Sequence, residues 1–283
     1  MSTNLKRRKE TTLRAFKSDK VAVFAALFLL LVIILSLIAP LLPLDANKTD
    51  VFHILEAPSK GHWFGTDEIG RDYFSRIIYG GRVSITVGIL AMLMSTILGV
   101  TIGMVSGFSG GIIDAVLMRL VDVIQSIPWL ILVTVVSIFF KKGLISIIVV
   151  IGFFSWMEIA RLVRAEVMSL KEREYVQYAD FSGVGAGSII IKHLVPAVMP
   201  TIIVSATSGI ADAIMTESAL SFLGIGIQEP LSSWGKLLQA AQSNLQSSVY
   251  MAFIPGLLIV LTIFSFNKLG NLLRVYLEPN KAV

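Results

Sequence analysis

The sequence contains no cysteine, three histidines, and little charge: Asp, Glu, Lys and Arg make up 15% of its 283 residues, against roughly 25% in an average soluble domain. Without cysteine there is no disulfide framework, no thiolate metal site and no thiol nucleophile. His53, His62 and His193 stand in three different segments. A metal site built from them would require His53 and His62 to meet across a loop, so no metal is expected. A phosphate cradle is missing as well. Gly235-Lys236 is followed by Leu237, and no glycine-rich segment runs into Gly-Lys-Ser or Gly-Lys-Thr. Energy for any uphill process must come from a partner or from a gradient. Nothing resembles a nucleophile or metal constellation for an intramembrane enzyme.

What the chain does have is apolar length. Its composition is 55% apolar with a mean hydropathy of +0.79, more than a soluble core can use. One bilayer crossing takes about 20 apolar residues. Uncharged runs extend over Val21–Leu44, Val83–Ile113, Val123–Phe140, Gly143–Met157, Leu194–Ala211 and Val249–Asn267. The fifth continues past Asp212 and Glu217 toward Leu223. These runs predict an all-α integral membrane protein with six transmembrane helices over 21–43, 83–108, 118–140, 143–161, 194–223 and 249–270. Between them lie loops 44–82, 162–193 and 224–248, with end segments 1–20 and 271–283. Gly110-Gly111 is expected to turn the chain after the second helix. The first run follows a basic head but is too long for a signal peptide and has no obvious small-residue cleavage site, so it reads as a retained helix.

Six spans place both termini on one side of the membrane. With that side cytoplasmic, 16 of the 24 basic residues fall inside, seven of them in the head from Lys6 to Lys20. This bias agrees with the positive-inside rule. The external loop 44–82 holds five basic residues, balanced by six acidic ones. Lys141-Lys142 reads as a membrane edge.

Three features invite function. Ala91, Ser95, Gly99, Gly103 and Gly107 repeat every four residues and so share a helix face. They serve either close helix packing or the lining of a path. Asp212 and Glu217 interrupt the fifth helix, where ionisable groups are costly unless they face protein or water. They are candidates for a translocation path, with Glu217 also suited to a structural role near the outer end. As a pair they are the main support for a rival reading, a stand-alone proton-coupled carrier. The third feature is the polar stretch Arg161–Lys192, in which a helix through Tyr175, Val176, Ala179 and Phe181 would be amphipathic and would end at Gly183, Gly185 and Gly187. It is either a solvated connection or an element that transmits movement to the spans it joins.

At this stretch a resemblance becomes visible. Gly183, followed thirteen residues later by Pro196, is similar to the cytoplasmic coupling motif of bacterial ATP-binding-cassette importer permeases, whose Glu-Ala-Ala loop docks on the ATPase. The motif's first three positions fall on Gln177, Tyr178 and Ala179, so the last alanine alone matches. Other segments resemble the oligopeptide, dipeptide and nickel branch of that family, and its C-type subunit in particular. They are Trp63 to Asp72 with Ser75-Arg76, Met118 to Asp122 through Pro128, Ala160 to Arg164, Ser169 to Val176, Lys192-His193, Glu217 with Ala219 to Gly226, Ser233 to Gly235, and Phe266-Asn267. The resemblance covers about residues 16–279.

The resemblance implies a permease fold over 80–275 in the bacterial inner membrane, with a cytoplasmic coupling helix. Contact with the ATPase would fall on Glu174, Gln177, Tyr178, Ala179, Gly183, Gly185 and Pro196. Implied partners are a paralogous permease subunit, two ATPase subunits that carry ATP and Mg, and an extracytoplasmic binding protein that delivers substrate. This chain itself would bind no cofactor and catalyse nothing. Peptides lead among substrates on family frequency, with nickel or a metal chelate as the alternative.

Overall fold

The computed structural model describes residues 19–140 and 142–277. The basic head up to residue 18, Lys141 and residues 278–283 lie outside that range. Helix α1 (Lys20–Ile38) starts where the Asp19 carboxylate accepts the Ala22 N–H at 3.0 Å. Its buried residues Ala22, Ala25, Leu29, Val32 and Ser36 recur every three or four positions and form one inward face. The helix gives way to a short 3₁₀ turn at Pro40.

Helix α2 (Tyr73–Ser109) is the central pillar. At 37 residues it runs about 55 Å, well beyond a hydrocarbon core of about 30 Å. It begins ten residues before the predicted start at 83, because Arg76 is buried inside it and neutralised by carboxylates from elsewhere. An uncharged-run criterion cannot anticipate that neutralisation.

The predicted third span, 118–140, is not one helix. Helices α3 (Gly111–Gln125) and α4 (Trp129–Phe139) meet at a bend of 87°. Pro128 supplies no N–H and disfavours helical backbone at Ile127, so the chain breaks there. Helices α5 (Leu144–Phe154) and α6 (Trp156–Lys171) form the next span, with Ser155 between them. Helix α6 continues ten residues past the predicted end at 161. Its buried positions Trp156, Ile159, Ala160, Val163 and Val167 hold one face against α2, while its charges point away from that face. The predicted loop 162–193 shrinks accordingly. It contains α7 (Glu174–Phe181), α8 (Ala186–Ile189) and a π-helical turn, Ile190–Leu194, that feeds into α9 (Val195–Phe222).

The stretch predicted as loop 224–248 holds a short amphipathic helix, α10 (Trp234–Ala241), capped by the Ser233 side chain. Trp234 is buried against Gly80 and Gly81 of α2, and its indole N–H donates to the Ile77 carbonyl at 3.1 Å. Helix α11 (Tyr250–Leu277) closes the bundle. Among the described residues, five stretches are long and apolar enough to cross a membrane, six if the bent pair counts as one. The start of α1 is tied to the body of α11 where Lys268 pairs with Asp19 at 2.7 Å.

Candidate functional site

The small-residue stripe of α2 lies against α6. A β-carbon on Gly99 would stand 2.7 Å from the Ile159 Cβ; on Gly103, 2.6 Å from the Ala160 carbonyl oxygen; and on Gly107, 2.8 Å from the Arg164 carbonyl oxygen. Ser95 is fully buried in the same row. The stripe is therefore a packing surface along its length.

Helix α6 is also tied at its far end. Lys171 Nζ donates to the Phe108 carbonyl at 2.7 Å, which satisfies one of the free carbonyls ending α2. Arg164 grips Asp114 in the first turn of α3 at 2.5 Å, and Arg161 pairs with Asp122 one helical stretch later. The polar half of α6 thus connects α2 and α3 at one end of the bundle.

Beyond it comes α7, whose two faces differ. Val176 and Ala179 are buried among Val163, Val167, Ile189, Leu194 and Val198. Tyr175, Tyr178 and Phe181, also spaced by three, stand outward with exposures of 47%, 75% and 89%. These three aromatics make one exposed apolar face on the helix. Glu174 and Gln177 are exposed beside them. The helix ends in a Schellman motif: Val184 N–H bonds to the Ala179 carbonyl and Gly183 N–H to the Asp180 carbonyl. Gly183 has φ +76° there, with nothing within 4 Å of where a β-carbon would point. Glycine is required by backbone conformation at this position and not by crowding. Gly185 precedes α8, and Pro196 occupies the first turn of α9, where its missing N–H costs nothing.

A cavity of about 720 Å³ opens between α2, the α3–α4 break, α6 and α9. Asp212 lines it; Glu217 does not. Glu217 is fully buried and accepts hydrogen bonds from Ser84 Oγ at 2.9 Å and Ser221 Oγ at 2.7 Å. Ser84 Oγ in turn accepts the Trp234 N–H, and Ser221 Oγ the Ile227 N–H. The Glu217 carboxylate thus pins α2, α9 and α10 together, away from this cavity. Glu158 of α6, Gln125 beside the break and Arg274 of α11 join the cavity wall instead. Sequence reading missed Glu158 because it ended an uncharged run and passed for a boundary.

On the opposite end of the bundle, the segment from Trp63 to Asp72 folds around buried charges. Asp67 accepts the Ile69 and Arg71 N–H groups and receives Arg71 Nε at 2.7 Å. Glu229, from the α9–α10 connection, takes Arg71 Nη1 at 2.8 Å and Arg76 Nη2 at 3.0 Å. Arg76 also lies 3.4 Å from Asp67. Burial raises the Glu68 carboxyl beside them above its ordinary range. The rings of His53 and His62 come within 6.3 Å of each other, yet each bonds to its own aspartate, Asp50 at 2.8 Å and Asp72 at 3.0 Å. The Asp50 partner raises the affinity of His53 for a proton, and His53 lowers the Asp50 carboxyl.

Comparison with known proteins puts these features in a family. Residues 99–283 match the binding-protein-dependent transport system inner membrane component, and residues 10–58 match the N-terminal TM domain of oligopeptide transport permease C. The chain is 37% identical over 272 residues to the oligopeptide transport system permease protein OppC of Bacillus subtilis, covering 96% of this chain and 89% of that one. It is 38% identical over 268 residues to the dipeptide transport system permease protein DppC of the same organism, covering 94% and 84%. It is 37% identical over 268 residues to the glutathione transport system permease protein GsiD of Pectobacterium atrosepticum, covering 94% and 89%. A multi-pass helical bundle, matched by the family over more than half its length, is accordingly assigned: the chain belongs to the inner membrane components of binding-protein-dependent transport systems, the permease subunits of ATP-binding-cassette importers.

Proposed function

We propose that this subunit imports short peptides handed over by an extracytoplasmic binding protein, powered by ATPase subunits that dock on α7. The observation that carries the reading is the outward aromatic face of α7, Tyr175, Tyr178 and Phe181, on a helix anchored by its other face. A docked ATPase that moves on closing displaces α7 as a unit. Helix α7 connects α6 to α9, and those two helices carry the cavity residues Glu158 and Asp212. Movement therefore reaches the cavity through two rigid rods and needs no long-range wire.

In this reading the end of the bundle bearing α7 faces the cytoplasm, as the distribution of Lys and Arg favours. The Asp67, Arg71, Arg76 and Glu229 cluster then faces outward and stiffens the surface offered to the binding protein. A paralogous permease completes the path on the side where α3 and α4 expose their apolar residues. Cargo is assigned as peptide because the relatives carry oligopeptide, dipeptide and glutathione names. A metal or chelate cargo has no observation to favour it here. The gradient-driven alternative loses Glu217 from its proton path and conflicts with membership of a binding-protein-dependent family.

The test is Gly183→Asp. An L-residue at φ +76° is strained by about 1 kcal/mol, too little to unfold the bundle, while the new carboxylate projects into open space on the docking side. The complex should assemble and hydrolyse ATP, with uptake reduced at least about tenfold. Uptake at the wild-type rate would contradict docking at this segment.

A further inference from the structure

Two carboxylates on the cavity wall have no partner among the described residues. Glu158 of α6 and Asp212 of α9 line the same space. Neither has a hydrogen bond or ion pair to any described residue. The neighbouring acids are treated otherwise. Asp114 and Asp122 are held by arginines, Glu217 by serines, and Asp19 by Lys268. Two unpaired like charges at membrane depth repel each other and resist desolvation. A fold that neutralises Asp114, Asp122, Glu217 and Asp19 but leaves these two facing one cavity is suited to a cation arriving from outside the chain.

The cavity's one cation among the described residues is Arg274. Gly270 packs on Ser208, at 3.0 Å from a would-be Cβ to Ser208 Oγ. Helices α9 and α11 run antiparallel, so Arg274, one turn further, stands level with a point about eight residues from Asp212, or about 12 Å along the axis. That separation matches an extended peptide of about three or four residues at about 3.4 Å each. The wall is thus negative at one end and positive at the other. Ser205 and Ser208 lie between as hydrogen-bonding groups.

We propose that Glu158 and Asp212 receive the free amino end of the peptide cargo, with its carboxylate end directed toward Arg274. This assignment rests on the peptide-importer reading above and adds to it the orientation of the cargo and the residues that recognise it. The preference acts inside the membrane, after release from the binding protein.

The complete complex, with its second permease, ATPases and binding protein, is reconstituted in proteoliposomes and supplied with radiolabelled tri-alanine. During turnover a carbodiimide joins amines to carboxylates in contact with them. Label is expected on Glu158 or Asp212 of this chain, and should be lost in the Glu158→Gln, Asp212→Asn double variant. That variant should also move tri-alanine about tenfold more slowly at saturating loaded binding protein, while its ATP hydrolysis stays within about twofold of wild type. Transport by the wild type with label only on other carboxylates, or on none, would overturn the inference and leave the importer reading standing. Unchanged turnover in the double variant would overturn it too. No peptide transport by the wild type would instead remove the importer reading on which it depends.

Discussion

Asp67 is within reach of two guanidinium groups, and its side chain is 3% exposed. Removing one member of such a cluster leaves buried charge uncompensated, which costs about 3–5 kcal/mol. Asp67→Ala should therefore destabilise the segment from Trp63 to Asp72 strongly, whereas Asp45→Ala, an exposed turn residue, should change stability by less than about 1 kcal/mol. Thermal unfolding of the purified subunit in detergent distinguishes the two; equal effects would contradict the burial argument. The sequence singled out this segment by its resemblance to a family signature. It gave no sign that Glu229, 158 positions after Arg71, completes the cluster, because pairing across that separation is a property of the fold. Glu158 was overlooked for a similar reason. A charge in an apolar run reads the same whether it faces a cavity or a ring of serines.

The helices themselves were far more legible than their limits. Apolar runs located five of the spans, since about 20 greasy residues have few other uses. Where a charge is neutralised by tertiary contact, as with Arg76 or Arg164, the helix runs on past the apparent boundary. The break at Pro128 escaped because composition registers a proline as one more uncharged residue, while geometry registers a missing N–H and a steric clash. The stripe Gly99, Gly103 and Gly107 belongs to this scale as well. A leucine at Gly103 would drive side-chain atoms into the Ala160 backbone and Val163, and backbone cannot yield as a side-chain tip does. Gly103→Leu should part α2 from α6, at a cost above the roughly 1–3 kcal/mol of ordinary overpacking. The expected readout is loss of folded, monodisperse protein on gel filtration. Gly187→Leu, where the surroundings are open, should elute as wild type.

At the scale of the whole molecule, the fold ties three places into one device. A charge-stiffened segment sits at one end, a cavity with two acids unpaired among the described residues lies within, and a capped aromatic helix stands at the other end between the two rods that carry those acids. In the proposed function, work enters through α7. The absence of cysteine provides the means to test this, because any cysteine introduced is unique. Tyr178→Cys on α7 and Phe52→Cys in the outer segment are both highly exposed, at 75% and 90% for the native side chains. Each is combined with a thiol-to-amine cross-linker in membranes containing the assembled transporter. The account predicts a covalent adduct between the Tyr178→Cys variant and an ATPase subunit, with none from Phe52→Cys. An ATPase adduct from the outer position, or its absence at Tyr178 in a complex that hydrolyses ATP and transports, would contradict it.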